Sequence, residues 1–176
     1  APLVLLTVND DAIEPLCNEL AAGGAFKTGS IVAHCSGALS SDILASARDS
    51  CGAKIASMHP LNTFPTAEAG VEKFAGTYCF CEGDAEATDA LMTLAGDIGG
   101  KPMLISSGGK VLYHAAAVMA SNYFIALMDA SLTLCATAGI DRQTALSALS
   151  PLVSATLENV IKLGPQAALT GPIARG

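Results

Sequence analysis

The sequence predicts an α/β fold with a mostly parallel sheet, followed by an all-α C-terminal region. Over roughly the first hundred residues, short apolar and β-branched runs alternate with helical patterns, an order typical of a parallel sheet wound with helices. From Lys110 to Ala138 the chain contains neither proline nor glycine, and the pattern after it stays helical. We therefore expect an α/β domain over residues 1–106, joined to a helical domain over residues 107–176.

Five strands are expected in the α/β domain, each an apolar run that stops at a turn residue. They are Leu3 to Val8, Ile31 to Cys35, Lys54 to Met58, Thr77 to Cys81 and Pro102 to Ile105. The last strand is placed at an edge of the sheet because proline cannot donate a ladder hydrogen bond. Three helices lie between the strands, each begun by a capping residue. They run from Asp10 or Asp11 to about Leu20, from Ser40 or Ser41 to about Asp49, and from Asp84 to about Ile98.

The helical domain is expected to contain one long helix, Lys110 to Ala138, and a second helix capped by Asp141. Apolar residues at helical spacing continue through the second helix to Val160. Pro151 lies inside it, which predicts a kink or a break, because proline removes an internal hydrogen bond.

One stripe of the long helix is polar and carries His114, Ser121 and Asn122, whereas the other sides are apolar. A helix that is apolar nearly all round is buried, so its polar groups need partners. These side chains are either functional groups or satisfied polar groups of a core, and the stripe alone leaves both interpretations open.

Composition excludes several classes of function. The chain has 51% apolar and 14% charged residues and a net charge of -7, with only nine Lys and Arg residues and no basic cluster. This argues against a nucleic-acid surface and against binding to anionic membranes. A membrane span from Val111 to Met128 is disfavoured because the segment contains His, Ser, Asn and two Tyr residues. The six cysteines lack the spacing of a disulfide framework, and we expect small core residues in a cytoplasmic protein.

Polar residues follow three of the predicted strands. The segments are Thr7 to Asp10, His34 to Gly37, and Ser57 to Pro60. Ligands of wound α/β sheets bind where the carboxyl ends of parallel strands meet, so these segments are the candidate site. Within it, Gly37 allows close backbone approach to a ligand, and the Ser36 hydroxyl can donate and accept hydrogen bonds.

Other chemistries are less well supported. The pair Cys79 and Cys81 lacks zinc-site spacing, and two thiols two residues apart on a strand share one face of the core, so no metal is expected. No G-x-S-x-G hydrolase elbow is present. A glycine-rich G-x-G-x-x-G loop is also absent, so the pyrophosphate site of any dinucleotide would lie outside this sequence.

Five segments carry a resemblance to a known family: NDDAI, HCSGALSSDIL, ASMHPLNTF, LYHAAAVMASNY and LENVIKLGPQAALTGPIARG. Over essentially the whole chain they resemble an uncharacterised bacterial family in which a Rossmann-like domain is joined to a helical domain of unknown function. That family shares a superfamily with 6-phosphogluconate dehydrogenase, pyrroline-5-carboxylate reductase, prephenate dehydrogenase and deazaflavin-dependent NADP oxidoreductase. The resemblance implies a partial Rossmann-like sheet and a 6-phosphogluconate-dehydrogenase-like C-terminal domain. It also implies that the chain is a fragment, with the first β-α-β unit ahead of Ala1 and further residues after Gly176.

The resemblance also implies roles for particular residues, with NAD(P) as the cofactor. The cofactor-binding candidates are Val8, Asn9 and Asp10 near the ribose, and Cys35, Ser36 and Gly37 near the nicotinamide. The catalytic candidates are His114, Asn122 and Ser121, and the substrate-binding candidates are His59, Thr170, Gly171 and Arg175. Val118 stands where relatives with a Lys-x-x-x-Asn pair have lysine, so their mechanism does not transfer directly.

These observations predict an NAD(P)-dependent oxidoreductase that transfers a hydride to or from a small carboxylate-bearing substrate. The alternative is a non-catalytic dimeric module that senses a nucleotide or metabolite. Both interpretations include a homodimer formed through the helical domain, because its two main helices carry more apolar surface than one small domain covers. The two are distinguished first by whether His114 lies beside the loops at Ser36 and His59.

Overall fold

A computed structural model describes residues 2–169 of the chain. The chain divides into two compact units, Ala1–Val118 and Met119–Gly176. The first unit is an α/β domain and the second is helical, so the predicted fold class is confirmed. The domain boundary predicted at residue 106 stays a prediction, and the helix that follows it belongs to the first unit.

The first unit contains five strands and five α-helices within the described residues. The strands are β1 (Leu3–Leu6), β2 (Ile31–His34), β3 (Lys54–Pro60), β4 (Tyr78–Gly83) and β5 (Lys101–Leu104). The helices are α1 (Asp10–Ala22), α2 (Ala45–Cys51), α3 (Ala67–Lys73), α4 (Ala85–Asp97) and α5 (Lys110–Val118). Short 3-10 turns, Ser41–Leu44 and Ser107–Gly109, precede α2 and α5.

The strands form one mixed sheet in the order β1-β2-β3-β4-β5. β1, β2 and β3 are parallel, β4 is antiparallel to β3, and β5 is parallel to β4. β3 and β4 are antiparallel because the chain re-enters the sheet at the end where β3 leaves it, and Pro60 there pairs with Cys79. One row of the sheet matters for the site, since Leu6, His34, Ser57 and Glu82 are paired in succession across four strands.

The two faces of the sheet have different cores. On one face Leu6, Val32 and Ile55 pack with residues of α1 and α2 such as Ile13. On the other face the core consists mainly of small residues packed against α4: Ala33, Ala56, Met58, Cys79, Cys81, Ala87, Leu91 and Ala95. The alternation of faces along each strand follows from its two-residue period. It places Ser57 and Glu82 on the face of the first core.

Several element bounds differ from the sequence prediction. β1 ends at Leu6 instead of Val8, and β3 continues through His59 and Pro60, because its antiparallel partner pairs with both residues. The helix α3 was not predicted; it is seven residues long, and Thr66 caps it by accepting a hydrogen bond from Ala69 N at 3.2 Å. Asp84 does not cap α4 with its side chain, since its carboxylate accepts from Ile55 N at 2.9 Å.

The second unit begins with a π-helical turn, Met119–Tyr123, followed by α6 (Phe124–Thr137), α7 (Arg142–Leu163) and α8 (Pro165–Ala168). The predicted cap of α7 is present, because Asp141 Oδ1 accepts from Gln143 N at 3.1 Å and Thr144 N at 3.0 Å. Of the two outcomes predicted at Pro151, the break is absent, because α7 continues through it, and the kink stays a prediction. A 22-residue helix tolerates the loss of the single hydrogen bond that proline removes.

By length and composition, one helical stretch of the described residues, Ser107–Thr137, could cross a membrane. It includes α5, the π-turn and α6, so the predicted long helix is present with one wider turn inside it. Such turns occur frequently at functional sites. The lysine at the start of α5 is buried and forms an ion pair with the sheet, which favours a helix held against protein at that end.

Candidate functional site

Ser36 links the segments that follow β1 and β2. Its Oγ donates to Asp10 Oδ2 at 2.8 Å, which ties the loop after β2 to the first turn of α1. The same oxygen accepts from Ala38 N at 3.2 Å and from Leu39 N at 3.1 Å. One donor and two acceptor positions exhaust a hydroxyl group. Ser36 therefore shapes the loop with its side chain, and its hydroxyl has no position left for a ligand.

Gly37 lies against two imidazole rings. A Cβ atom at this position would lie 2.8 Å from Cε1 of His59 and 2.8 Å from Cε1 of His114, and still closer to Nδ1 of His114. The two rings stand edge to face, with centroids 5.5 Å apart and an interplanar angle of 78°. The structure thus brings together the β2 loop, the end of β3 and α5. Any side chain at position 37 would displace the histidines.

Tyr113, beside His114 on α5, fixes the orientation of His59. Its hydroxyl lies 2.9 Å from Nδ1 of His59, and its ring packs on Phe80 with centroids 4.3 Å apart. Burial raises the pKa of Tyr113 to about 12, so the phenol is protonated at neutral pH. Burial, followed by the charges of His114 and Lys110, lowers the pKa of His59 to about 4. His59 is therefore neutral at neutral pH.

Both ring nitrogens of the third histidine, His34, form hydrogen bonds within the protein. Its Nδ1 accepts from Ser36 N at 3.1 Å, and its Nε2 lies 3.2 Å from the carbonyl oxygen of Ser40. Since a carbonyl only accepts, the proton is on Nε2. Burial, reinforced by the charge of Lys110, lowers the pKa of His34 to about 4. This neutral side chain supports the loop that carries Ser36.

A buried ionic network under the site was not predicted from the sequence. The side chains of Lys110 and Glu82 are 2% and 1% exposed, and Lys110 Nζ lies 3.3 Å from Glu82 Oε1. Lys110 also donates to Ser57 Oγ, which in turn donates to Glu82 Oε1 at 2.6 Å. The network fastens the first residue of α5 to β3 and β4.

Two further serines complete the coordination of the Glu82 carboxylate. Ser41 donates its N–H to Oε1 at 2.8 Å and its hydroxyl to Oε2 at 2.9 Å, and Ser107 donates its hydroxyl to Oε2 at 2.9 Å. Burial alone would raise the pKa of Glu82, but the hydrogen bonds from Ser57, Ser107 and Ser41 and the charge of Lys110 hold that pKa below its ordinary value. A charged pair so fully hydrogen-bonded is compatible with burial.

Burial lowers the pKa of Lys110, while the charge and hydrogen bond of Glu82 oppose that shift. The sequence contained a signal for this pair, because Glu82 is the one charged residue in the strand run Tyr78–Gly83 and Lys110 is the one Lys, Arg, Asp or Glu residue in the segment Lys110–Val118. A charge inside an apolar element is rarely buried without a partner.

The remaining candidates take no part in the contacts described above, or they lie outside the described part of the chain. Val8 and Asn9 are exposed after β1, and Cys35 is half-buried, where burial raises the pKa of its thiol. Ser121 and Asn122 lie on the π-turn of the second unit, the first half-buried and the second exposed. The candidates Thr170, Gly171 and Arg175 lie outside the described residues. Within residues 2–169, no three His, Cys, Asp or Glu side chains are grouped to hold a metal ion.

The low pKa of His34 predicts acid sensitivity. Between pH 6.5 and about 4 the unfolded chain binds a proton at this position that the folded chain excludes, so the free energy of unfolding falls as the pH falls. The contribution of His34 is about 3 kcal/mol. Urea unfolding at pH 7, 5.5 and 4.5 measures it, with His34→Gln as the control, which should weaken the dependence and leave the part that comes from His59. An equal slope in the two proteins would contradict the prediction.

Family models match both parts of the chain. Residues 77–176 match the domain of unknown function DUF2520, and residues 1–60 match a Rossmann-like domain. No curated protein sequence matches the chain.

Solved structures with a similar fold include several relatives. Protein TM1727 from Thermotoga maritima is 32% identical with a TM-score of 0.77, and the match covers 98% of this chain and 64% of that chain. Protein BF3122 from Bacteroides fragilis, assigned as an NADP oxidoreductase, is 19% identical with a TM-score of 0.78, covering 99% and 63%. Plasmodium falciparum pyrroline carboxylate reductase with NADP bound is 12% identical with a TM-score of 0.60, covering 97% and 63%. The chain thus spans less than two thirds of the length of each of these proteins.

Proposed function

The chain belongs to the DUF2520 family, with a Rossmann-like domain ahead of the helical one, and on this premise we propose that the complete protein is an NAD(P)-dependent oxidoreductase. The proposed substrate is a small molecule that bears a carboxylate. Support for the cofactor comes from the Bacteroides protein assigned as an NADP oxidoreductase and from the Plasmodium reductase with NADP bound. Both share the fold of this chain.

The observation that carries the proposal is the contact of Gly37 with His59 and His114 at the ends of the parallel strands. In sheets of this kind, that edge is where nucleotide ligands bind. The exposed residues Val8 and Asn9 and the carboxylate of Asp10 lie at the neighbouring strand end. This is a surface on which a nucleotide can rest, and its glycine allows a flat ring to approach the backbone.

When bound, NAD(P)H supplies the hydride for reduction of a carbonyl carbon to an alcohol, with a proton taken up by the oxygen. The task proposed for His114 is to act at that oxygen, by proton transfer or by hydrogen-bond donation. His59, oriented by Tyr113, lies beside it. Arg175, with Thr170 and Gly171, is proposed to hold the substrate carboxylate as an anion site. Ser121 and Asn122 are proposed to orient the reacting group.

Cofactor binding tests the proposal most directly. Titration of NADH and of NADPH into the complete protein, followed by calorimetry, should show saturable binding of at least one of them. Asp10→Ala removes the carboxylate that receives the Ser36 hydrogen bond, and it should weaken binding. Asp97→Ala, at the exposed end of α4, is the matched control and should leave binding unchanged. Absence of binding for both nucleotides would refute the proposal.

A second candidate function is a non-catalytic sensor of a nucleotide or metabolite. It is favoured by the saturation of Ser36 and His34, whose polar atoms are used within the protein. A sensor would bind NAD(P)H without oxidising it in the presence of any small oxo acid. Single-turnover measurement of NADPH absorbance against a panel of such acids distinguishes the two functions.

We also propose that the protein is a homodimer formed through the helical unit. Large apolar side chains on its helices are more exposed than is usual on the surface of a monomeric protein: Ile125 62%, Leu127 68%, Leu134 72% and Ile161 74%. A second copy would cover apolar faces of the same kind, and C2 pairing of identical faces is the commonest arrangement of soluble oligomers.

The dimer predicts a mass of twice the protomer in light scattering after gel filtration. A double substitution, Ile125→Glu and Ile161→Glu, should shift the complete protein toward the monomer, because each charge would be buried in the interface. Val71→Glu is the control, since Val71 is 81% exposed on α3 of the other unit. A wild-type monomer at high concentration would contradict the prediction.

A further inference from the structure

The Nδ1 atom of His114 is closed against the backbone. It is buried and has no hydrogen-bond partner among the residues that the structure describes. Gly37 lies directly against it, too close for a Cβ atom to fit between them. A ligand atom therefore cannot reach Nδ1. A proton placed on Nδ1 would be a buried donor without an acceptor, which is energetically costly.

This closure selects the tautomer of His114. A neutral imidazole has one N–H proton. If that proton is on Nε2, the Nδ1 lone pair faces Gly37 and no buried N–H is left without an acceptor. In the neutral ring, the geometry therefore favours an N–H on the side away from Gly37.

A different contact selects the same tautomer in His59. Tyr113 is protonated at neutral pH because burial raises its pKa to about 12. Its hydroxyl has one hydrogen-bond partner within residues 2–169, the Nδ1 atom of His59 at 2.9 Å. If the phenol donates its proton there, Nδ1 is the acceptor and the proton of the ring is on Nε2.

We infer that His59 and His114 are a pair of Nε2–H donors for one class of ligand group, an oxygen acceptor such as a carbonyl or a carboxylate. Their rings are neighbours, with centroids 5.5 Å apart, and both stand on Gly37 at the strand ends. The inference rests on the proposed function for the identity of the ligand, and it assigns hydrogen-bond donation, not proton transfer, to His114. The acceptor oxygen belongs either to the nicotinamide carboxamide or to the substrate.

Nitrogen NMR tests the tautomers without any ligand. The complete protein is labelled with ¹⁵N at histidine, and long-range ¹H–¹⁵N spectra are recorded at pH 8, with resonances assigned by single His→Gln variants. All three rings described here should show a protonated Nε2 and an unprotonated Nδ1, with His34 as the internal reference. An Nδ1–H tautomer, or a mixture of tautomers, at either His59 or His114 would overturn the inference.

Two substitutions separate the two restraints. Tyr113→Phe removes the hydroxyl that holds His59, so His59 should become a mixture of tautomers while His114 keeps its own. Tyr78→Phe is the matched control, because Tyr78 is 47% exposed at the start of β4, and it should change neither ring. Gly37→Ala should move the His114 resonances most. If Tyr113→Phe leaves the His59 tautomer unchanged, the assignment for that residue is wrong.

The ligand arm uses NADP⁺ alone and NADP⁺ with pyruvate, a small oxo acid that cannot be reduced by the oxidised cofactor. If NADP⁺ alone moves the Nε2–H protons of both histidines downfield, the acceptor is on the cofactor. If the shift requires pyruvate, the acceptor is on the substrate. Failure of both to move either proton would overturn the donor role. Because NADP⁺ binding is measured separately by calorimetry, that result is distinguishable from failure of the proposed function.

Discussion

Replacing Lys110 by methionine is expected to lower the free energy of unfolding by about 3–5 kcal/mol, the cost of leaving a buried charge without its partner. The substitution keeps an unbranched side chain, one heavy atom shorter, but leaves the Glu82 carboxylate, 1% exposed, without its cation. It also removes the donor to Ser57 Oγ. Urea unfolding of the complete protein, followed by circular dichroism at neutral pH, measures the loss.

Two comparisons make this test specific. Lys162 forms an exposed ion pair with Glu158 at 3.4 Å, so Lys162→Met should cost less than about 0.5 kcal/mol. The double variant Lys110→Met with Glu82→Gln removes both charges and should cost less than the two single changes added together, because no charge is left unpaired. A loss for Lys110→Met no larger than for Lys162→Met would show that the buried pair does not stabilise the fold.

The buried pair also bears on the site, because it holds the start of the helix that carries Tyr113 and His114. Those residues lie three and four positions after Lys110, about one helical turn further. They contact His59 through the Tyr113 hydroxyl and through the edge-to-face rings. Anchoring Lys110 to Ser57 and Glu82 therefore fixes the rotation of α5 about its axis. A rotated α5 would lose the contact with Gly37.

The strands that formed as predicted share a simple cause. Buried parallel strands must be apolar on both faces, and runs such as Ile31 to Cys35 are recognisable for that reason. The direction of β4 could not be read in the same way. Strand direction depends on the end of the sheet to which the connection returns the chain. The short helix α3, in which four of seven residues are charged or glycine, left no clear pattern. β4 was therefore expected in a parallel sheet, although it pairs antiparallel with β3.

Sequence patterns show where strands end but not how strands pair, and this difference decides which part of the site could be predicted. The grouping of Gly37, His59 and His114 follows from strand ends that meet at one edge, which a sequence pattern shows. The network of Glu82 and Lys110 depends on the register of β4, because only the antiparallel pairing sets Glu82 opposite Ser57. The saturation of the Ser36 hydroxyl depends on three separate distances. The sequence marks Glu82 and Lys110 as charges within apolar elements, but neither their pairing nor the hydrogen bonds of Ser36 can be read before the fold is known.

His114 gives the sharpest test of catalysis. Substitution by asparagine in the complete protein is expected to lower kcat by roughly 100-fold or more, about 2.7 kcal/mol of transition-state stabilisation, with little change in the melting temperature. The melting temperature should change little because Nδ1 of His114 has no hydrogen-bond partner among the described residues. Removing this nitrogen therefore leaves no described group without a partner. A shorter side chain also relieves the close contact with Gly37.

The matched variants separate the possible roles of His114. Glutamine carries an amide N–H on a longer side chain, so His114→Gln should recover part of the activity that asparagine loses if hydrogen-bond donation is the task. His34→Gln is the structural comparison: it disturbs the hydrogen bonds to Ser36 and Ser40, and it should lower stability more than turnover. Steady-state kinetics with NADPH and the best oxo acid of the panel, paired with thermal unfolding of each variant, give both readouts. If His114→Asn lowers the melting temperature by several degrees and leaves kcat within a factor of three of wild type, His114 is a core residue and not a catalytic one.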